Sequence, residues 1–179
     1  MSSLATLGLF QRHRRPRVYI AGKIGKNDFR HDLLPALRGW QGEDGPLDCG
    51  DFSYVGPFFR SCDHGCRHGP GLHGVAGLGC DAEFITQRTV KNLNQAGLAS
   101  ADLVFAFIQS PDAYGSVWEL GWAACAGIPT YLFFDPGVDA EEFWYASIGT
   151  VAPHPASLYV KDLPAVFRAV LTDWRRRQQ

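Results

Sequence analysis

Ala101-Asp-Leu-Val-Phe-Ala-Phe-Ile108, Asp112-Ala-Tyr-Gly-Ser-Val-Trp-Glu119-Leu-Gly-Trp-Ala123 and Thr130-Tyr-Leu-Phe-Phe134 follow one another closely. They read as strand, tight turn, helix and strand, with the carboxylate of Glu119 placed in the helix's first turn. A side chain where a strand hands over to a helix lies at the carboxyl edge of an α/β sheet, the usual ligand crevice of that architecture. Glu119 is therefore the candidate reactive group.

Outward from this unit the same alternation continues. Arg17-Val-Tyr-Ile-Ala21 is a short apolar run closed by Gly22-Lys-Ile-Gly25, a buried strand ending in a loop that exposes backbone. Phe29, Leu33, Leu34 and Leu37 share one helical face, with Asn27 or Asp28 as cap and Gly39 as stop. A second strand is expected near Phe52-Ser-Tyr-Val55, and a helix from Ala82 carrying Phe84, Ile85, Val90, Leu93 and Leu98 inward. Glu141 to Tyr145 suits a short amphipathic helix, Ser157 to Val160 a last strand, and Leu163 to Trp174 a closing helix with an arginine-rich end. Strands alternating with helices imply an α/β fold with a doubly wound, mostly parallel five-stranded sheet, flavodoxin- or Rossmann-like, in the order 2-1-3-4-5.

A chain of 179 residues, 46% hydrophobic, buries one core, so a single domain over 1–179 is expected. A Gly/His/Cys-rich loop insertion at about 56–81 is read as a lid or pocket wall, because long loops without periodicity are mostly functional. With 17 Lys plus Arg against 18 Asp plus Glu there is no overall field to recruit nucleic acid or an anionic membrane, which favours a small-molecule partner. The opening Met1 to Phe10 is too short and weakly apolar for a secretory core, and no run approaches a membrane span. The five cysteines form an odd set, and Cys125 falls in a helical pattern where a small buried thiol is common; a reducing cytoplasm is expected.

Val18-Tyr-Ile-Ala-Gly22-Lys-Ile24, Gly115-Ser-Val-Trp-Glu119-Leu-Gly-Trp-Ala123 and Gly127-Ile-Pro129 together resemble the nucleoside 2-deoxyribosyltransferase superfamily, which includes nucleotide N-glycoside hydrolases. The resemblance covers about half the chain in three patches, 17–25, 94–108 and 113–134. It implies that Glu119 attacks the anomeric carbon of a nucleoside or nucleoside monophosphate and forms a glycosyl-enzyme ester, resolved by water or a second base. It also implies a homo-oligomer in which one subunit helps complete its neighbour's pocket, and no cofactor. The chemistry suits a carboxylate, since covalent catalysis splits one difficult displacement into two. A helix N-terminus favours the ionised carboxylate by about 0.3–1 kcal/mol. Gly22, Lys23 and Ile24 of the first loop, with Asp112, Gly115 and Ser116 before and in the glutamate helix, are the expected substrate-binding residues; Lys23 and Ser116 together suit a 5′-phosphate. Ser116-x-x-Glu119 is equally a capping-box pattern with a purely structural purpose.

Two positions depart from the family pattern. Asn94 stands where the family often carries an aspartate that assists protonation of the leaving base; an asparagine orients a hydroxyl or base edge but transfers no proton at neutral pH. Ala113 stands where related enzymes place a serine or aspartate that contacts substrate. Asp63, Asp112 and the loop histidines are the remaining acid candidates. Within Cys62-Asp-His64-Gly-Cys66-Arg-His68, the spacing fits no closed zinc pattern, so no metal is expected. His64 and His68, with Phe58 and Phe59, are placed instead on the nucleobase side of the pocket.

Three activities fit these residues: cleavage or exchange of an N-glycosidic bond through Glu119, non-catalytic nucleotide sensing on the same fold, or a NAD-glycohydrolase of the Toll/interleukin-receptor kind. Base, sugar, phosphate state and acceptor are left open. The glycosidic assignment carries one structural requirement, that the Glu119 carboxylate point into an open crevice beside the Gly22 loop.

Overall fold

The computed structural model describes residues 15–24, 29–39, 46–57, 87–147, 150–151 and 159–179. Its centre is a mostly parallel mixed sheet of five strands: β1 (Arg17–Ala21), β2 (Leu47–Asp48), β3 (Ser53–Tyr54), β4 (Leu103–Ile108) and β5 (Thr130–Phe134). β4, an interior strand, and β5, at the edge of the sheet, are both buried at every position, as strands covered on both faces are. β1 lies between β3 and β4, parallel to both, and Tyr19 is in register with Val104. Asp102 pins the entry edge: its carboxylate accepts the Arg17 N–H at 2.8 Å, and its own N–H donates to the Arg17 carbonyl at 2.7 Å.

Alternate residues of β1 feed two cores. Val18 and Ile20 join Phe105, Phe133, Phe167 and Trp174 under α1 (Arg30–Leu33) and α5 (Leu163–Arg177). Tyr19 and Ala21 face the opposite way, toward Leu98 of α2 (Gln87–Ala99) and Leu120 and Ala123 of α3 (Tyr114–Cys125). α2 comes very close to the sheet, since a Cβ on Gly97 would stand 2.2 Å from the Val55 carbonyl oxygen. α5 is well terminated: Asp162 accepts the Ala165 N–H at 3.0 Å, Pro164 sits in the first turn and Arg175 to Arg177 occupy the last.

The sheet order is β2-β3-β1-β4-β5, which corrects the expected 2-1-3-4-5. β2 is an additional antiparallel edge strand paired with β3. It was hidden in Leu47-Asp-Cys-Gly-Asp51, which reads as a turn; Asp48 does accept the Gly50 N–H at 2.8 Å, and Gly50 has φ +79°. Of the strand expected at 157–160, residues 157 and 158 lie outside the described residues, and Tyr159 forms an isolated parallel bridge to Phe134.

The continuous helix expected through Phe29, Leu33, Leu34 and Leu37 is also corrected. α1 is a single turn, and Pro35–Gly39 follows as a 3-10 turn. Leu34 precedes Pro35 and takes φ −129°, ψ 75°, outside the helical region, because the proline ring crowds the residue before it. Phe29 stands at the N-cap without a side-chain bond, while the expected caps Asn27 and Asp28 lie outside the described residues. The helix foreseen at 141–145 is a 3-10 turn, Ala140–Phe143, running into α4 (Trp144–Ser147).

Candidate active site

α3 begins earlier than its sequence pattern suggested. Ala113 is the N-cap, so Ser116 is the third helical residue and Glu119 the sixth, in the second turn. No side chain caps the helix, which removes the capping-box explanation of Ser116 and Glu119. It also removes the first-turn dipole as the main influence on the carboxylate, because that effect fades beyond the first turn.

Glu119 instead points inward, across to β1. The Tyr19 phenol, fully buried, donates to Glu119 Oε1 at 2.5 Å. Glu119 itself is 7% exposed. Burial dominates its titration and pushes the carboxyl up to about 7, against the opposing influences of the Tyr19 hydrogen bond and the Arg30 cation. Tyr19 is raised well above the ordinary phenol range, by burial first and by the Glu119 charge second. The expected open crevice is therefore not what surrounds this carboxylate: it is enclosed, with one oxygen held by a phenol.

Arg30 is the other unforeseen member. Its guanidinium is fully buried and donates to the carbonyls of Ile20 at 3.0 Å, Gly22 at 2.6 Å and Lys23 at 3.5 Å, and it stacks over the Phe29 ring at 4.6 Å. One cation thus locks the loop that leaves β1. Gly22 is required in that loop: with φ +155°, a Cβ there would meet the Phe107 carbonyl oxygen and the Phe29 ring, each at 2.7 Å.

Lys23 is half exposed and forms an ion pair with Asp112, whose carboxylate also accepts the Ser110 hydroxyl. The loops after β1 and β4 are thereby joined at the carboxyl edge of the sheet. Lys23 and Ser110 hold the Asp112 carboxyl below the usual carboxylate range, so Asp112 is no proton donor at neutral pH. Ile24 packs partly buried against the first core, with its side chain spent on packing. Ser116 is buried at 3% exposure, and Gly115 lies on the outer side of α3 with nothing within 4 Å of a Cβ position. Those placements split the phosphate-binding set expected from Lys23 and Ser116: the lysine has a carboxylate partner and the serine is covered. Asn94 is half-buried on α2, which packs against α3, and makes no hydrogen bond to Glu119. Asp63, His64 and His68, with Phe58 and Phe59, lie outside the described residues, as does the whole of Cys62 to His73.

The sequence offered one clue to Tyr19, a phenol inside an otherwise aliphatic strand, since a buried tyrosine hydroxyl nearly always finds a partner. Arg30 offered none, because an arginine in a helical pattern is ordinarily solvated. Cys125 corrects another expectation: it is exposed at the last turn of α3. No described helix is long and apolar enough to cross a membrane. Compared with family models, curated proteins and solved structures, the chain finds no match in any of the three.

Proposed function

We propose that this chain is an enzyme that cleaves or exchanges the N-glycosidic bond of a (deoxy)nucleoside or nucleoside monophosphate, with Glu119 as nucleophile, on a doubly wound, flavodoxin-like sheet and in the cytoplasm. The observation that carries the reading is the Tyr19–Glu119 pair. A carboxyl group on the inner face of α3, beside Leu120 and Ala123, costs stability that an apolar residue there would not. An enclosed carboxyl group with a raised titration point, held by a phenol, is characteristic of reactive sites. The phenol fixes one oxygen and leaves the second to attack C1′ of the sugar. The bond to the base then breaks, its electron pair leaves with the base, and an ester to the sugar forms. Water, or the nitrogen of a second base, attacks C1′ and returns the carboxylate, and the proton it sheds to solvent balances the one the departing base takes up from solvent. The attacking form is the ionised one, so the rate rises with pH through about 7.

The 7% exposure of Glu119 weighs against this reading in the form observed, because the requirement of an open crevice is not met. It favours a second reading: a nucleotide-sensing domain in which Tyr19 and Glu119 brace β1 to α3 without chemistry. Under the first reading the approach to the carboxylate opens when substrate binds. Incubation with a panel of nucleosides, their monophosphates and nicotinamide adenine dinucleotide separates the two. Released base that vanishes in Glu119→Ala supports the enzyme; ligand-dependent melting shifts with no base released support the sensor.

A further inference from the structure

We propose that Arg30 is a positioning residue for the reaction at Glu119: its buried guanidinium fixes a positive charge at the carboxyl end of β1, beside the side chain that must lose and regain a negative one. The inference rests on the reading of Glu119 as nucleophile, which itself makes no use of Arg30.

The end of a strand presents carbonyl oxygens, whose partial negative charge repels a nearby carboxylate. Here those oxygens are turned to Arg30, whose Nε donates to Ile20 at 3.0 Å and whose terminal nitrogens donate to Gly22 at 2.6 Å and Lys23 at 3.5 Å. α1 packs on the face of the sheet opposite α3, so Arg30 and Glu119 approach β1 from its two sides. Ile20 directly follows Tyr19, whose phenol holds Glu119 Oε1 at 2.5 Å. Two adjacent residues of one strand thus connect a buried cation to a buried carboxyl group, and little solvent lies between them to screen the charge. Burial raises the titration of Glu119; the Tyr19 hydrogen bond and then the Arg30 charge oppose it.

Among the described residues, no other charge occupies such a place. Of the elements packed on α3, β4 has no titratable side chain, and β5 has only Tyr131, in the opposite core. α2 offers Arg88 and Lys91 and α4 offers Tyr145, all exposed, as are Tyr114 and Cys125 of α3 itself. β1 supplies Tyr19, and Tyr54 of the adjacent β3 donates its hydroxyl to the Pro57 carbonyl.

The fixed charge bears on two steps. Attack on C1′ needs the carboxylate, and the cation enlarges its share at a given pH. In the second step the ester bond between C1′ and Glu119 breaks and its electron pair returns to the carboxylate, while water or the nitrogen of a second base bonds to C1′ and sheds a proton to solvent. A carboxylate departs more readily beside a fixed cation.

Arg30→Gln, which removes the charge and keeps an amide donor, and Arg30→Lys, which keeps the charge and loses the planar fork, test the proposal, with circular dichroism confirming the fold of each. In Arg30→Gln, base release in the first turnover is expected to rise at higher pH than in the wild type, falling several-fold at pH 6 and little at pH 9. Its glycosyl-enzyme ester, followed by peptide mass after acid quench, is expected to decay several-fold more slowly. Arg30→Lys is expected to keep the wild-type pH dependence while releasing base more slowly at every pH. A purely structural role lowers release evenly with pH and leaves the decay of the ester unchanged; either result in Arg30→Gln overturns the proposal. Should Arg30→Gln not fold, Arg30→Lys decides: a pH dependence displaced upward despite the retained charge overturns it. If the wild type releases no base, the nucleophile reading fails by itself, and urea unfolding decides for Arg30. The pH range over which Glu119→Gln gains stability relative to Glu119 is then expected to lie higher in the Arg30→Gln background, and an unmoved range overturns the coupling.

Discussion

Replacing Glu119 by glutamine isolates the consequence of enclosing a carboxyl group beside Tyr19. Glutamine keeps the shape and an oxygen to accept the phenol's hydrogen bond, but has no proton to exchange. In the folded chain the Glu119 carboxyl titrates at about 7, against an ordinary 4.5. Below about pH 4.5 both folded and unfolded chains carry the proton, and stability does not depend on it. Between the two values the folded chain holds a proton that the unfolded chain releases, so stability falls as pH rises, by about 1.4 kcal/mol per pH unit. Above about 7 the loss is complete and amounts to about 3 kcal/mol. The difference in unfolding free energy between Glu119→Gln and the wild type, measured in urea at pH steps from 5 to 8.5, cancels the other titrating groups. It is expected to grow in favour of the variant across that range and level off above pH 7.5. In melting temperature the full effect is on the order of 5–10 °C. A difference that stays flat with pH refutes the enclosed carboxyl.

Tyr19→Phe removes a hydrogen bond to a charged group, so base release is expected to fall by roughly 10- to 100-fold, and the rising limb of the pH–rate profile to move to higher pH; an unmoved limb means that the phenol does not set the titration of Glu119. Gly97→Ala drives a methyl group into the Val55 carbonyl and is expected to destabilise by about 3 kcal/mol, whereas Gly121→Ala, with open space around its Cβ position, is expected to be neutral or stabilising by about 1 kcal/mol; denaturant midpoints compare the two. Asp162→Ala deletes the α5 cap and is expected to cost about 1 kcal/mol, read from the same titrations.

What the sequence revealed follows from what each residue's neighbours in the chain can determine. The strands at 17–21, 103–108 and 130–134 were legible almost to the residue, because a strand buried on both faces is an unbroken apolar run. The single-turn α1 was not, although its cause was visible: Pro35 forbids helix at Leu34, and the apolar spacing on either side masked it. β2 owes its pairing to a partner strand several residues away and shows no alternation of its own. At the site, Glu119 was found from its place after a strand, but its burial, its second-turn position and its phenol partner 100 residues earlier are properties of packing. The ion pair of Lys23 with Asp112 is likewise invisible along the chain, since both residue types suit a surface loop or a ligand site equally well. Arg30 is the strongest case: three main-chain carbonyls, all within eleven residues of it, surround a cation that composition would place in water.

The most direct measurement is of the ester itself. The chain is mixed with the nucleosides and monophosphates that release base, quenched in acid within the first turnover, digested and weighed peptide by peptide. If Glu119 is the nucleophile, the peptide containing it gains the mass of one sugar residue, and the gain disappears in Glu119→Gln. Base released with no sugar on that peptide, or release that continues unchanged in Glu119→Gln, contradicts the assignment.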